Sequence, residues 1–538
     1  MLKNLILITL FSIYCAPLSA QYFEPASQHV YGGLDYDRVS DLVQVEDGSY
    51  FILNETYSGA NGNKTTPYYG EQSYFSDAWL IKTDSLYNEI WQIGYGSLGS
   101  DLPKKLLIDD AGYLYLCVTS NGTVGATKTV NTYGQEDFWI IKIDQNGQEI
   151  WQKSYGGTSR EYVHDAEMFN GKIYIAGTST SDSSGVKSEF NRGELDYWLL
   201  CTDTSGNIVF DKTYGGTGYD RAVSIQSDQI SNTCYISGLS DSPISYEKTE
   251  ESMGGRDYWV VKADAETGEK LDDFVIGSDG WDDLKTCSLW NNHLYLFGDS
   301  SGDDFGDKTE ICRGQRDYWL VKSDLAGNVI WDKTIGSDTT DTAYDMLISD
   351  NTIILSGHSM SDAGYEKSED AYVYGKYDGW FVGVDTTGVV LWDKILGSYE
   401  SDLWPVLFKT SDNLAVGMGT LSLYPSGDLT ESTYVEEYID DPDCWLFRMT
   451  VPLSGVEDAV SELNANLYPN PASGQVQIDL PYIGEAQLSL YSLSGKLLIK
   501  EQLKASHQSV DISSLKSGMY IIEIQQNNKF KREKLVIK

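Results

Sequence analysis

Residues 156–179 read GGTSREYVHDAEMFNGKIYIAGTS, and residues 196–216, beyond a polar stretch, read DYWLLCTDTSGNIVFDKTYGG. Apolar and polar residues alternate in runs too short for helices, and Asn170-Gly171 and Ser205-Gly206-Asn207 supply turns. Four strands follow: A at about 162–169, B at 172–178, C at 197–203 and D at 207–213. The C strand opens with Asp-x-Trp. That triplet recurs at Asp77/Trp79, Asp137/Trp139, Asp196/Trp198, Asp257/Trp259, Asp317/Trp319, Asp378/Trp380 and Asp443/Trp445, with successive tryptophans 60, 59, 61, 60, 61 and 65 residues apart. A fixed period of this length in alternating sequence means one small sheet written seven times, and a ring of such sheets is a β-propeller. The expected fold is all-β, a seven-bladed β-propeller with four-stranded blades. Plentiful Tyr (38), Trp (14) and Gly (51) with scarce Pro (12) suit many short strands and tight turns.

The copies differ in detail. The C–D turn carries Asp-x-x-Gly-x-x-x-Trp, clear at Asp144/Gly147/Trp151, Asp324/Gly327/Trp331 and Asp385/Gly388/Trp392. Phe210 replaces the Trp in the third copy, Tyr87 the Gly in the first, and the fourth has an extra residue with Asp272 in the aromatic's place. Glycine permits the turn's positive φ and the aromatic packs on the neighbouring sheet, so the fourth copy should pack its outer strand least well. The seventh copy has no D strand behind it, whereas an orphan D-like strand, SQHVYGG at 27–33, precedes the first A strand. The N-terminal strand should complete the seventh blade and leave no open edge.

Residues 1–20 (MLKNLILITLFSIYCAPLSA) combine Lys3, an apolar run from Leu5 to Tyr14, and small Ser19 and Ala20, the pattern of a removable secretory signal. A lipoprotein reading at Cys15 is weaker, because bulky Ile13 and Tyr14 precede it. No later run reaches the ~20 apolar residues of a transmembrane segment. The net charge of −41 lies almost wholly in the repeats, since residues 457–538 hold nine basic and nine acidic side chains. Such a surface repels phosphate backbones, so no nucleic acid partner is expected. Six cysteines remain after the signal, singly placed, with no zinc or redox spacing; Cys287 and Cys312 share a repeat and form the one pair worth testing.

The loops that gather on one face of a propeller are here the B–C loops and the D–A links. Lys187, Lys248, Lys308 and Lys367 recur in the former. The links read Gly-[Gly/Ser]-x-x-x-acid, ending in Asp37, Asp101, Glu161, Asp220, Asp282, Asp341 and Asp402. Two readings are open for these acids: a carboxylate ring holding a cation such as calcium, or seven carboxylates each accepting N–H bonds within its own loop. The ring reading requires a melting temperature that responds to millimolar calcium and to chelator. The Trp of each Asp-x-Trp should be core, and its Asp should tie loop to loop. His29, His164, His293 and His358 occupy non-equivalent positions, and no nucleophile, metal or cofactor motif stands in a fitting context, so no catalytic or cofactor-binding residue is assigned. Tyr68, Tyr69, Tyr74, Tyr133, Tyr372 and Tyr374 are loop aromatics able to stack on sugars.

After Pro452 the repeat stops, and a linker (453–466) leads to alternating strands over 467–538 that read as a small β-sandwich. Tyr468-Pro469-Asn470-Pro471, the stretch from Leu490-Tyr491 to Gly495-Lys496, that from Leu515 to Gly518-Met519-Tyr520, and the basic end Lys529 to Lys538 resemble the type A C-terminal sorting domain of type IX secretion. The resemblance implies export from a Gram-negative cell, the type IX machinery as partner, and a mature protein released or anchored at the surface. The C–D turn is also similar to that of quinoprotein propellers. Those have eight blades and an adjacent cysteine pair, neither of which is found here, so quinone-dependent oxidation is not expected. The resulting reading is a secreted or cell-surface, non-catalytic binding or adhesion propeller for a glycan, protein or cation; the alternative is a polysaccharide-degrading hydrolase or lyase on the same scaffold.

Overall fold

The computed structural model describes residues 25–349, 351–410, 414–434, 441–449, 465–480, 486–492, 497–505, 507–513, 515–516, 518–526 and 529–538. The expected signal (1–20), nearly all of the expected linker, and Gly495 and Lys496 lie outside them. Contacts divide the chain into Met1–Leu453 and Ser454–Lys538. No helix occurs among the described residues, and so none is long and apolar enough to cross a membrane.

The first unit contains seven four-stranded antiparallel sheets among its described residues. In the third, strands A to D are Glu161–Phe169, Lys172–Ser179, Asp196–Asp203 and Ile208–Tyr214. The A strands all begin at the link acids: Asp37–Gln44, Asp101–Ile108, Glu161–Phe169, Asp220–Asp228, Asp282–Trp290, Asp341–Ser349 and Asp402–Lys409. The C strands all begin at the Asp of Asp-x-Trp. B and C strands are buried on both faces, as in Leu114–Ser120 and Asp137–Ile143, because a neighbouring sheet covers each side. That is why LYLCVTS and DFWIIKI read as nearly unbroken apolar runs.

Adjacent sheets are joined at the start of every A strand by one main-chain bond. Asp101 N–H donates to Ser76 O at 2.6 Å, Glu161 to Glu136 O at 2.7 Å, and Asp402 to Tyr377 O at 2.6 Å. The first sheet is joined to the seventh in the same way, through Asp37 N–H to Pro442 O at 2.8 Å, and the A strands of these two sheets lie against each other.

The D strand of the seventh sheet is the chain's own N-terminal strand, Ala26–Tyr31, which pairs antiparallel with Asp443–Met449. Gln28 shows how fully it takes that place. In every sheet a D-strand Gln or Asp accepts both the indole N–H of the Asp-x-Trp and a B–C loop N–H; Gln152 does so for Trp139 and Thr129, and Gln28 for Trp445 and Thr430.

In the fourth sheet Asp272 occupies the aromatic's register position, opposite Lys262, and is exposed. The expected packing defect is filled from nearby: Phe274, on the same face two residues on, is 5% exposed, and a Cβ on Gly327 of the next sheet would meet its ring at 2.3 Å. The six cysteines of the described residues are free; Cys312 Sγ donates to Ser300 O and Gly302 O, and the Cys287–Cys312 bridge is not formed.

In the second unit seven strands follow one hydrogen-bonded order whose ladders fall into two sheets. Asn466–Ser473 links the halves: its start pairs with Gln475–Asp479, and Ala472 pairs with Ile537. Pro469 and Pro471 lack N–H donors, so the middle of this strand cannot continue one ladder and is free to change partners. The strands enclose an apolar cluster that includes Val476, Ile478, Leu488, Leu490, Ile522, Ile524 and Leu535.

Removing residues 21–33 deletes Gln28 and bares the edge of Asp443–Met449. The shortened chain should melt at least about 5 °C below the full chain, as a loss of a few kcal/mol in a domain of this size requires. Calorimetry showing equal melting would remove the N-terminal strand from the load-sharing part of the sheet.

Candidate functional site

The seven link acids are fully buried. Each accepts the main-chain N–H of the residue four earlier, Gly33, Ser97, Gly157, Gly216, Ser278, Ser337 or Ser398, at 2.5–2.7 Å. Hydroxyls add further donors, as with Ser58 Oγ on Asp37 (2.7 Å) and Ser179 Oγ on Glu161 (2.7 Å). Asp37, Asp101, Glu161, Asp220, Asp282, Asp341 and Asp402 thus close seven separate links. Among the described residues no three His, Cys, Asp or Glu side chains come together as a metal would need.

The Asp of each Asp-x-Trp ties down the B–C loop instead, accepting an N–H from Tyr69, Tyr133, Arg192, Met253, Arg313, Tyr372 or Tyr434. Its Oδ1 faces the first link glycine. A Cβ on Gly32, Gly96, Gly156, Gly215, Gly277, Gly336 or Gly397 would stand 2.0–2.3 Å from that oxygen, so only glycine fits. The main chain of Tyr69, Tyr133 and Tyr372 is thereby anchored. Tyr68 Oη bonds Phe75 O, while Tyr74 and Tyr374 are 69% and 81% exposed.

The recurring lysines are buried clamps on loop carbonyls. Lys248 Nζ donates to Ser242 O (2.8 Å) and Glu250 O (2.9 Å). Lys64 and Lys128 hold the same place in the first two sheets, Lys64 on Ser58 O and Thr66 O, Lys128 on Gly122 O. The seventh sheet breaks the rule: Leu429, bridged to Ser426 as Lys367 is to Gly364, is apolar and 2% exposed.

Every A strand also carries a bulge near its third residue. In six strands one residue is skipped by the ladder: Ser40, Lys104, His164, Val223, Lys285 or Tyr344. In the seventh the shift spans Leu403 to Val406, and Trp404 takes φ +56°. Bulges re-aim side chains, and all seven of these residues line one cavity of about 610 Å³ to which every A strand contributes. The seven are of six residue types, lysine alone occurring twice, whereas the link acids and the Asp-x-Trp triplets recur in every copy.

The cavity is polar. Lys105 Nζ lies 3.8 Å from Asp41 and 3.6 Å from Asp165, whose carboxylates also accept the N–H groups of Leu106 (2.7 Å) and Ile225 (3.0 Å) on neighbouring A strands. Asp345 likewise accepts Leu407 N–H at 2.9 Å. Arg38 pairs with Glu55 at 2.7 Å and lies over Trp404 at 5.3 Å; Lys285 pairs with Asp299 at 3.3 Å. Burial pushes Lys104 down to about 8, with Arg38 and Arg221 adding to the shift. Burial, then Arg221 and Lys104, hold His164 well below its ordinary value, and burial brings His358 to about 4. Both imidazoles are neutral at pH 7. Sequence reasoning did not single out these positions; the available signal was the residue two or three after each link acid, the place where the copies disagree in chemical type.

In the second unit, Tyr468 Oη donates to the Asp479 carboxylate (3.1 Å), Asn470 Oδ1 accepts Val536 N–H (2.9 Å), and Tyr520 Oη, two residues beyond Gly518, donates to Lys516 O (2.8 Å). Residues 466–538 match the family described as secretion system C-terminal sorting domain, and with that tail the chain is a type IX secretion cargo, secreted or at the cell surface. Over 437 residues the chain is 21% identical to the regulatory protein FlaEY of Caulobacter vibrioides, covering 71% of this chain and 42% of that protein. Over 102 residues it is 28% identical to an endo-acting ulvan lyase of Formosa agariphila, covering 18% and 20%. The chain thus spans less than half the length of either relative. Among solved structures, the phage phi92 endosialidase gives a TM-score of 0.40 at 10% identity, covering 85% of this chain and 74% of that one. The Kuenenia stuttgartiensis hydrazine synthase gives 0.35 at 10%, covering 69% and 80%. Likenesses of this order say nothing of chemistry.

Two measurements test the joints. Gly215→Ala drives a Cβ into Asp196 Oδ1 and should cost ~1–3 kcal/mol of stability in urea unfolding, whereas Gly171→Ala, with nothing within 4 Å of its Cβ, should cost only its φ +70° strain. Asp443 has no lysine in its loop; burial, with Asp37 beside it, pushes its carboxyl from 3.8 up to about 8. A raised folded value means stability present at low pH and lost as pH rises through the folded value, so stability should fall between about pH 4 and about pH 8. Asp443→Asn should flatten that slope and be the more stable chain at the alkaline end.

Proposed function

We propose that the seven sheets are the blades of a closed β-propeller, that the cavity is its axial channel, and that the exported protein is a binding module whose ligand enters that channel. One observation carries the reading. The carboxylates, tryptophans and loop lysines that recur are consumed in holding loops and sheets together, while the seven bulge side chains, of six different types, converge on one cavity. A scaffold needs its features in every copy, whereas a binding site needs each of its groups once. The volume lies within the range of about 300–1,000 Å³ usual for small-ligand sites.

The tail is proposed to carry the address, with Tyr468, Pro469, Asn470, Pro471, Gly495, Lys496, Gly518 and Tyr520 as its recognition residues. The partial match to a lyase, together with neutral His164 and His358 beside cations, favours one second reading: a polysaccharide lyase or hydrolase using the same cavity.

The discriminating experiment is titration of the full chain against a panel of oligosaccharides by tryptophan fluorescence, with product release followed in parallel. Saturable binding without turnover is expected, and Tyr344→Ala should weaken it at least about tenfold, the loss of one good contact. Steady product release abolished by His164→Ala would replace the binding reading with the enzymatic one.

A further inference from the structure

The cavity holds more cations than its own carboxylates satisfy. Five cationic and three carboxylate side chains line it. Lys105 is held by Asp41 and Asp165, Arg38 by Glu55, and Lys285 by Asp299. Lys104 and Arg221 are left over. Neither has an ion-pair partner within 4 Å among the described residues, and Arg38 and Arg221 act on Lys104 as like charges, opposed by Glu55, which Arg38 already holds. Like charges gathered in a partly desolvated cavity destabilise the empty state, an arrangement that an entering anion relieves.

Another part of the lining is aromatic and strained. Trp404 is a bulky residue at φ +56° in a two-residue bulge, a conformation that bulky residues rarely adopt. Burial does not repay it, since Trp404 is only half-buried. What the strain achieves is position: the indole lies against Tyr36 (5.8 Å between centroids), under the Arg38 guanidinium, and lines the cavity. Tyr344, delivered by the neighbouring bulge, lines the same side. Aromatic faces stack on the apolar faces of sugar rings, and cations placed to one side meet a substituent on the ring.

We infer that the channel is a site for an acidic sugar, its ring on Trp404 and Tyr344 and its carboxylate or sulfate between Lys104 and Arg221. The inference rests on the proposed binding role and names its ligand class. The chain's net charge of −41 supports selectivity rather than strength. It discourages long polyanions from adsorbing along the surface, so that an acidic sugar is held only where the cationic pair is within reach.

The test is calorimetric titration of the full chain with galacturonate oligosaccharides, the matching neutral galactose oligosaccharides, a sulfated galactose oligosaccharide, and sodium sulfate. At least one of the two acidic sugars should bind at least about tenfold more tightly than the neutral one, the discrimination that a single charged contact supplies; which one it is separates carboxylate from sulfate as the source of the charge. Lys104→Met and Arg221→Met should each remove that preference while leaving the melting temperature unchanged or raised, an outcome that a purely structural role for these cations would not give. Trp404→Leu should weaken the acidic sugar and leave any sulfate affinity as it was. Equal affinity for acidic and neutral sugars, or binding of sulfate alone, overturns the assignment and leaves the binding module standing. Turnover of a bound acidic sugar overturns the binding-only reading and leaves the assignment in place. If none of the four probes binds, the assignment falls.

Discussion

A carboxylate taken out of water has to be met by donors, and the first unit is organised around fourteen such groups, two in each repeat. All fourteen accept a main-chain N–H, seven from the D–A links and seven from the B–C loops. Loops that would otherwise be solvent-filled are thereby drawn tight against the strand ends. The link glycines follow from this, because a side chain there would collide with the second oxygen. So do the lysine clamps, which gather the carbonyls that the same loops turn inward. With the loop ends pinned, the A strands can bulge without fraying, and the bulges are what point the cavity-lining residues inward.

The period of Asp-x-Trp made the sheets, their strand order and the role of the N-terminal strand legible before any coordinates, because each rests on recurrence, and recurrence is visible in a single chain. Lys187, Lys248, Lys308 and Lys367 were visible for the same reason, although their partners, main-chain carbonyls, have no sequence signature. The cavity was not legible. Ser40, His164 and Tyr344 are unremarkable residues in unremarkable strands, and only the skipped ladder positions show that they share a space. Phe274 was missed differently: its copy looked defective at Asp272, and a substitute two residues away on the same face does not register in a position-by-position alignment.

Irregularity is concentrated where the first and last repeats meet. In the second to fifth sheets the middle residue of Asp-x-Trp is aromatic and packs on the tryptophan of the next sheet, as Tyr197 does on Trp259 at 4.8 Å and Tyr258 on Trp319 at 5.0 Å. In the sixth, seventh and first sheets that residue is Gly379, Cys444 and Ala78. The same arc carries Leu429 in place of the clamp and the two-residue bulge at Trp404. The less constrained joints thus lie beside the most specialised wall of the cavity, which is where a change of ligand preference could arise with little loss to the remaining sheets.

Gln28 and Trp445 are 417 residues apart in the chain and meet in one sheet. During synthesis the closing strand emerges early and waits roughly 20–80 s for its partner at ordinary elongation rates. For all that time the seventh sheet cannot exist, and the joint between the first and last A strands cannot form. Completion of the unit is therefore tied to completion of the polypeptide. A unit whose last sheet requires its first strand stays unfinished until the whole of the repeat region has been made.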